Sequence, residues 1–143
     1  MSTNNLKALG SHLVEELNRG KSAASAVMDE VYATDIIYHG PFSNEVRGIN
    51  DMKKNTIEVY DAFPDFHMTV DEIIVIEDGI VGRFTMTGTF KGGLMGMSPT
   101  NKKMAVSVIV ISRFAGGKVV EEWERFDTLG MLQQLGVIPT PEK

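Results

Sequence analysis

The sequence has no cysteine, which excludes disulfides, thiolate nucleophiles and cysteine-based zinc sites and leaves the redox compartment unread. It also lacks a basic excess: 14 Lys and Arg stand against 19 Asp and Glu, for a formal charge of −5. Nucleic acid is held by a basic patch that displaces counterions, and the nearest approach to one is Lys102-Lys103, so no nucleic-acid partner is expected. Long apolar runs are missing too. No window approaches the roughly 20 apolar residues of a membrane span, and the N-terminal "MSTNNLKALG" has no basic segment leading into an apolar stretch. No membrane partner is expected, and the cytoplasm is the default location. His12 and His67 show no metal-ligand spacing with another His or a carboxylate, so no metal is expected and neither is given a role.

What is present is the composition of one ordinary soluble domain spanning residues 1–143, with 43% apolar and 23% charged residues. Leu6, Leu9, Leu13 and Leu17 recur at helical spacing, predicting an amphipathic helix over 5–19 that Gly20 stops. A second helix is expected over 22–32, with Ser22 as a candidate cap. "DIIYHG" predicts a short strand, and the apolar positions Ile49, Met52, Ile57 and Tyr60 predict a third helix ending before Pro64.

Beyond Pro64 the pattern turns to β. Two β-rich runs meet at Asp78-Gly79, a strong hairpin signal because both residues tolerate positive φ, and a second pair meets at Ala115-Gly116-Gly117. Four antiparallel strands result. Between the hairpins lies "KGGLMGMSPTN", a loop rich in Gly and Met, and after them Thr128 is a candidate cap for a short helix "LGMLQQLG". Helices first and strands later predict an α+β architecture, with helices on one face of a curved antiparallel sheet. The strand over 104–114 is apolar at both parities, Val106, Val108 and Val110 against Ala105, Ile109 and Ile111. Such a strand needs cover on both faces, which predicts a homodimer or higher homo-oligomer.

"FPDFHMTVDEIIVIEDGIVGRFTMTGTF", "GMSPTNKKM", "ISRFAGGKVVEEWERFD" and "LGMLQQLG", in that order and spacing, resemble the SnoaL-like polyketide cyclases of the nuclear transport factor 2-like superfamily. The resemblance covers roughly residues 11–139. It implies a cone-shaped α+β barrel, cystatin-like in its layout, with a curved sheet around the N-terminal helices and an apolar pocket at the wide end. It implies no metal or other cofactor, a small-molecule substrate or ligand, and ring closure by intramolecular aldol condensation in which an Asp moves a proton.

Aldol closure needs a base whose pKa lies near working pH and donors for the enolate oxygen. If "VVEEWERFD" is a strand, alternation sets Glu121, Trp123, Arg125 and Asp127 on one face and Glu122, Glu124 and Phe126 on the other. The first set resembles the pocket-facing row of the family. It implies Asp127 as acid/base, with His39 or Arg125 polarising the oxygen and Trp123 as an apolar wall. Asp127 is equally read as the N-cap of the final helix, and Arg125, where the family tends to carry His, would weaken a neighbouring carboxylate as a base.

The resemblance further points to Tyr38, Phe63, Arg83, Phe90 and Met95 as substrate contacts. Each has a plainer reading. His39 suits a turn satisfied by backbone, Arg83 heads a polar row that suits solvent, Phe90 stands where the family commonly has His, and the Met-rich loop suits subunit packing as well as a lid. The expected activity is proton transfer on an apolar carbonyl compound. A non-catalytic binding module is the alternative, and a hydratase, dehydratase or epoxide hydrolase would require a second carboxylate in the pocket, with Glu121 best placed to supply it.

Overall fold

A computed structural model of the chain describes residues 3–140. Helix α1, Thr3–Leu17, is followed by α2, Lys21–Val31, then by strands β1, Tyr32–His39, and β2, Glu45–Arg47. Helix α3, Ile49–Ala62, precedes β3, His67–Ile76, β4, Gly79–Thr89, β5, Lys103–Ala115, and β6, Lys118–Phe126, and α4, Thr128–Gln134, closes the described chain. The expected α+β order is present, with one strand more than the periodicity shows. Three-residue β2 is too short to display alternation, and it pairs with Ile37, Tyr38 and His39.

The six strands form one sheet in the order β2-β1-β6-β5-β4-β3. Every pairing is antiparallel except β1 with β6, where Tyr38 stands opposite Glu122 and His39 opposite Trp123 in parallel register. That corrects the expectation of an all-antiparallel sheet: the two strands meet across about 80 residues of chain, and no local signal announces such a pairing. Register shifts at Val70/Glu72 in β3 and opposite Arg113/Phe114, where β6 carries the extra residue Val120, mark bulges, which bend strands and help the sheet to curl. Of the expected caps, Ser22 and Thr128 are corrected and the reading of Asp127 as a cap holds. Gly20, not Ser22, stands at the N-cap of α2, and Asp127, not Thr128, at that of α4.

Helices cover the concave face because their apolar stripes match its inward row. In β5 the alternation is complete: Met104, Val106, Val108 and Val110 are buried, while Ala105, Ser107 and Ile109 are exposed. Helix α1 closes tightly on the β3–β4 hairpin at Gly10, where an added Cβ would stand 3.1 Å from the side chains of Ile73 and Ile80. The end of α1 is tied down by Asn18, whose carboxamide donates to Met68 O at 2.8 Å and accepts from Met68 N at 2.8 Å. The Tyr60 hydroxyl of α3 donates to Leu17 O on the same turn.

Two buried clusters result. One joins Val14, Phe63, Phe84, Phe90, Val108 and Leu135 at one end, and the other joins Val27, Met28, Val31, Ile36 and Val119 beneath α2. The space the helices leave between these clusters is the cavity described next.

Candidate active site

A cavity of about 420 Å³ lies between the helices and the concave face of the sheet, a size suited to a drug-sized molecule. Its walls are largely apolar, from Leu13 and Val14 of α1, Phe63 and Phe66 after α3, Met68, Phe84 and Met86 of the sheet, and Leu94 and Met95 of the loop after β4. Polar groups are concentrated on β1 and β6: Tyr32, Tyr38, Glu122 and Glu124, with Ser112 of β5 beside them.

The placement follows from register. Val110 and Ser112, inward residues of β5, stand opposite Glu124 and Glu122 of β6. Period-two alternation then turns Glu122, Glu124 and Phe126 inward together. Glu122 is only 6% exposed. Its Oε1 accepts from Ser112 Oγ at 3.3 Å, and its Oε2 is buried without a hydrogen-bond partner. Burial pushes its carboxyl from an ordinary value near 4.5 up to about 7, the nearby Tyr32 and Ser112 hydroxyls offsetting part of the rise and Glu124 adding to it.

Glu124 accepts from the Tyr38 hydroxyl at 2.7 Å through Oε2. Burial raises its carboxyl as well, against the stabilising effect of that bond. Both phenols are held protonated: burial first, then the two carboxylates, push Tyr32 and Tyr38 well above the usual tyrosine range. The wall therefore carries one carboxyl poised to gain or lose a proton near neutrality, a second raised in the same direction, and two phenols that keep their protons.

The residues expected from sequence divide differently. Tyr38, Phe63 and Met95 line the cavity, with Tyr38 and Phe63 buried and Met95 at an exposed turn of positive φ. Trp123, Arg125 and Asp127 share a face of the strand, as alternation requires, but it is the face turned away from the cavity. Trp123 stacks on His39 with ring centroids 5.0 Å apart, and His39 Nε2 meets Glu121 Oε2 at 2.7 Å. Arg125 donates to the carbonyls of His39, Gly40 and Glu124 at 3.1, 3.2 and 2.7 Å, and so clamps the end of β1 to β6 rather than pairing with Asp127.

Asp127 is exposed and accepts from Gly130 N at 2.8 Å, the geometry of a helix N-cap. A side chain at position 130 would collide with that carboxylate, its Cβ falling 2.2 Å from Asp127 Oδ2. Arg83 projects from the outer face toward Asp71 and Glu72. Phe90 is fully buried against Phe63 at 5.8 Å between centroids, a core ring rather than a cavity wall.

Glu122 and Glu124 were assigned to the other face by the sequence reading. The signal that finds them is the β5–β6 hairpin. The turn at Ala115-Gly116-Gly117 sets Glu122 and Glu124 opposite Ser112 and Val110, on the face that the valine row of β5 marks as covered. Among the described residues no cluster of three His, Cys, Asp or Glu side chains forms a potential metal site. No described helix is long and apolar enough to cross a membrane.

Comparison with known proteins places this geometry. The SnoaL-like polyketide cyclase profile matches residues 11–135. AclR from Streptomyces galilaeus, a candidate hydroxylase, is 32% identical, with a TM-score of 0.82 over 99% of this chain and 87% of AclR. IdmH from Streptomyces antibioticus, a candidate polyketide cyclase, is 26% identical, with a TM-score of 0.76 over 92% of this chain and 98% of IdmH. A candidate SnoaL-like polyketide cyclase from Jannaschia sp. CCS1 shares the fold at 19% identity, with a TM-score of 0.88 over 97% of this chain and 98% of its own. No curated protein is a significant match.

Proposed function

The chain belongs to the SnoaL-like polyketide cyclase family, and from that premise we propose that it moves a proton on an apolar, carbonyl-bearing small molecule held in the cavity, with Glu122 rather than Asp127 as the acid/base. The observation that supports this reading is the buried Glu122 carboxyl, with one oxygen unpartnered and its pKa raised to about 7. A base of that strength is half ionised at neutral pH, where general base catalysis is most effective.

In the aldol form of the reaction, the Glu122 carboxylate takes a proton from carbon between two carbonyls. The resulting enolate carbon bonds to a second carbonyl carbon of the same molecule, and the alkoxide so formed takes a proton back from Glu122. Tyr32, neutral at any working pH, is the donor nearest the enolate oxygen, since the Tyr38 hydroxyl already gives its proton to Glu124. Met95 and Leu94 supply an adaptable apolar cover.

The test is exchange of carbon-bound hydrogen into D2O from apolar 1,3-dicarbonyl compounds, followed by NMR in the native protein and in Glu122→Gln. Similarity to AclR favours a second reading, hydroxylation of the activated carbon by dioxygen, in which an external reductant supplies two electrons and the second oxygen atom leaves as water. Uptake of dioxygen during turnover distinguishes it from ring closure.

The proposal includes a homodimer built on the outer sheet face. Ile74 and Ile109 are each 50% exposed there, an apolar area that a second copy of the chain would cover. Sedimentation of native protein is expected to give a dimer and Ile109→Glu a monomer; a monomeric native protein contradicts it.

A further inference from the structure

A buried carboxylate with a second, half-buried one two residues along the same strand ordinarily comes with a cation from the protein itself. Here none is supplied. The ionisable groups that face the cavity are Glu122 and Glu124 from β6, Tyr32 and Tyr38 from β1, and Glu58 and Tyr60 from α3; among the described residues no Lys, Arg or His lines it. Basic side chains of the neighbouring elements are engaged elsewhere. Arg125 is spent on carbonyls, Lys53 of α3 pairs with Asp29 at 2.8 Å, and Arg113 of β5 meets Asp78 at 2.6 Å.

The carboxylates are also under-bonded. Ser112 reaches one oxygen of Glu122 at the long distance of 3.3 Å, Glu122 Oε2 has no partner in hydrogen-bond geometry although the Tyr32 hydroxyl lies near the carboxyl, and Tyr38 reaches only Oε2 of Glu124. The same cavity is lined by the rings of Phe42, Phe63, Phe66, Phe84 and Phe126, whose faces attract cations.

We propose that the cavity is built for an apolar ligand bearing a protonated amine, which seats on the Glu122–Glu124 pair and supplies the positive charge that the protein withholds. A carboxylate or phosphate in the same place would meet three acids and no counter-charge. A neutral hydroxyl would donate one hydrogen bond and leave an ionised carboxylate desolvated beside it. An ammonium offers three donors and a full charge, and against two carboxylates it leaves one free to act on carbon. The inference goes beyond the proposed reaction, because it names the ligand class and stands without turnover.

The experiment is calorimetric binding of 4-phenylbutylamine, 4-phenylbutan-1-ol and 4-phenylbutanoic acid at pH 8, where the amine is charged and Glu122 ionised. The native protein is expected to hold the amine at least about tenfold tighter than the alcohol, the scale of one hydrogen bond to a charged group, and the acid most weakly. Glu122→Gln combined with Glu124→Gln, nearly isosteric, is expected to keep the alcohol, which reports an intact cavity, and to lose the preference for the amine. Lowering the pH from 8 to 6 weakens the native protein's hold on the amine by about tenfold, because protons compete for a carboxyl that titrates near 7.

An amine preference below about tenfold, an acid that binds as well as the amine, a preference that survives in the double variant, or a native protein that takes up none of the three overturns the inference. These probes undergo no proton transfer at carbon. Amine preference without hydrogen exchange keeps this inference and removes the catalytic one, and exchange without amine preference does the reverse.

Discussion

Glu122→Gln is expected to lower the rate of carbon-hydrogen exchange by about 10²- to 10⁴-fold, the usual contribution of a positioned general base. Gln keeps the volume and the Ser112 contact but cannot accept a proton at any working pH. The informative control is Asp127→Asn. Asp127 caps α4 from the surface, through Gly130 N, and Asn is as good a cap as Asp. That variant is expected to retain both stability and rate, within about threefold of native, since a capping residue gains nothing from a negative charge beyond a weak interaction with the helix dipole. The family resemblance suggests the opposite pair of results. A large rate loss in Asp127→Asn with little change in Glu122→Gln would return the chemistry to the family's usual position.

Stability should carry the mark of the same carboxyl. Glu122 titrates near 4.5 in the unfolded chain and at about 7 in the native protein. A native pKa raised above the unfolded value means that the native state binds more protons between those limits, so stability falls as pH rises through the interval. Below about 4.5 both states are protonated and nothing is lost; above about 7 both are ionised and the full cost is present. That cost is about 3 kcal/mol from this group. Glu124, also raised by burial, acts in the same direction.

Glu122→Gln is therefore expected to unfold later than native protein at pH 8 and to lose most of that advantage at pH 4.5, as measured by chemical denaturation at both pH values. Asp65, whose carboxyl is lowered by hydrogen bonds from Thr89, contributes stability that disappears only as pH falls below the usual Asp range. It does not mask the trend between pH 4.5 and 8. Native and variant proteins of equal stability at pH 8 would contradict the burial argument.

The fold was legible because it rests on local patterns. The Leu6 to Leu17 spacing, the Asp78-Gly79 turn and the valines of β5 each commit a segment without reference to distant chain. The β1–β6 pairing was not legible, since it joins strands that share no turn, and three-residue β2 was too short to show a period. The site was half legible. Alternation along β6 sorted the residues correctly into Glu121, Trp123, Arg125 and Asp127 against Glu122, Glu124 and Phe126. The choice of inner face then failed, because it followed the resemblance to the family's pocket-facing row, and a carboxylate is the last residue one expects to bury. Hydrophobicity decides which face is covered only where function does not intervene, and the cavity is where it does. Phe90 shows the converse. Its replacement of a polar residue common in the family reads from sequence as a lost pocket contact, but the ring is consumed in packing against Phe63.

The most direct test of the account is titration of the Glu122 carboxyl by carbon-detected NMR of the native protein, assigned with Glu122→Gln. The account predicts a midpoint near 7, with the Tyr38 phenol still protonated at the highest pH the fold survives. A midpoint near the ordinary glutamate value of 4.5 would mean that the carboxyl is solvated or paired, and neither the proton transfer nor the stability trend argued from its burial would stand.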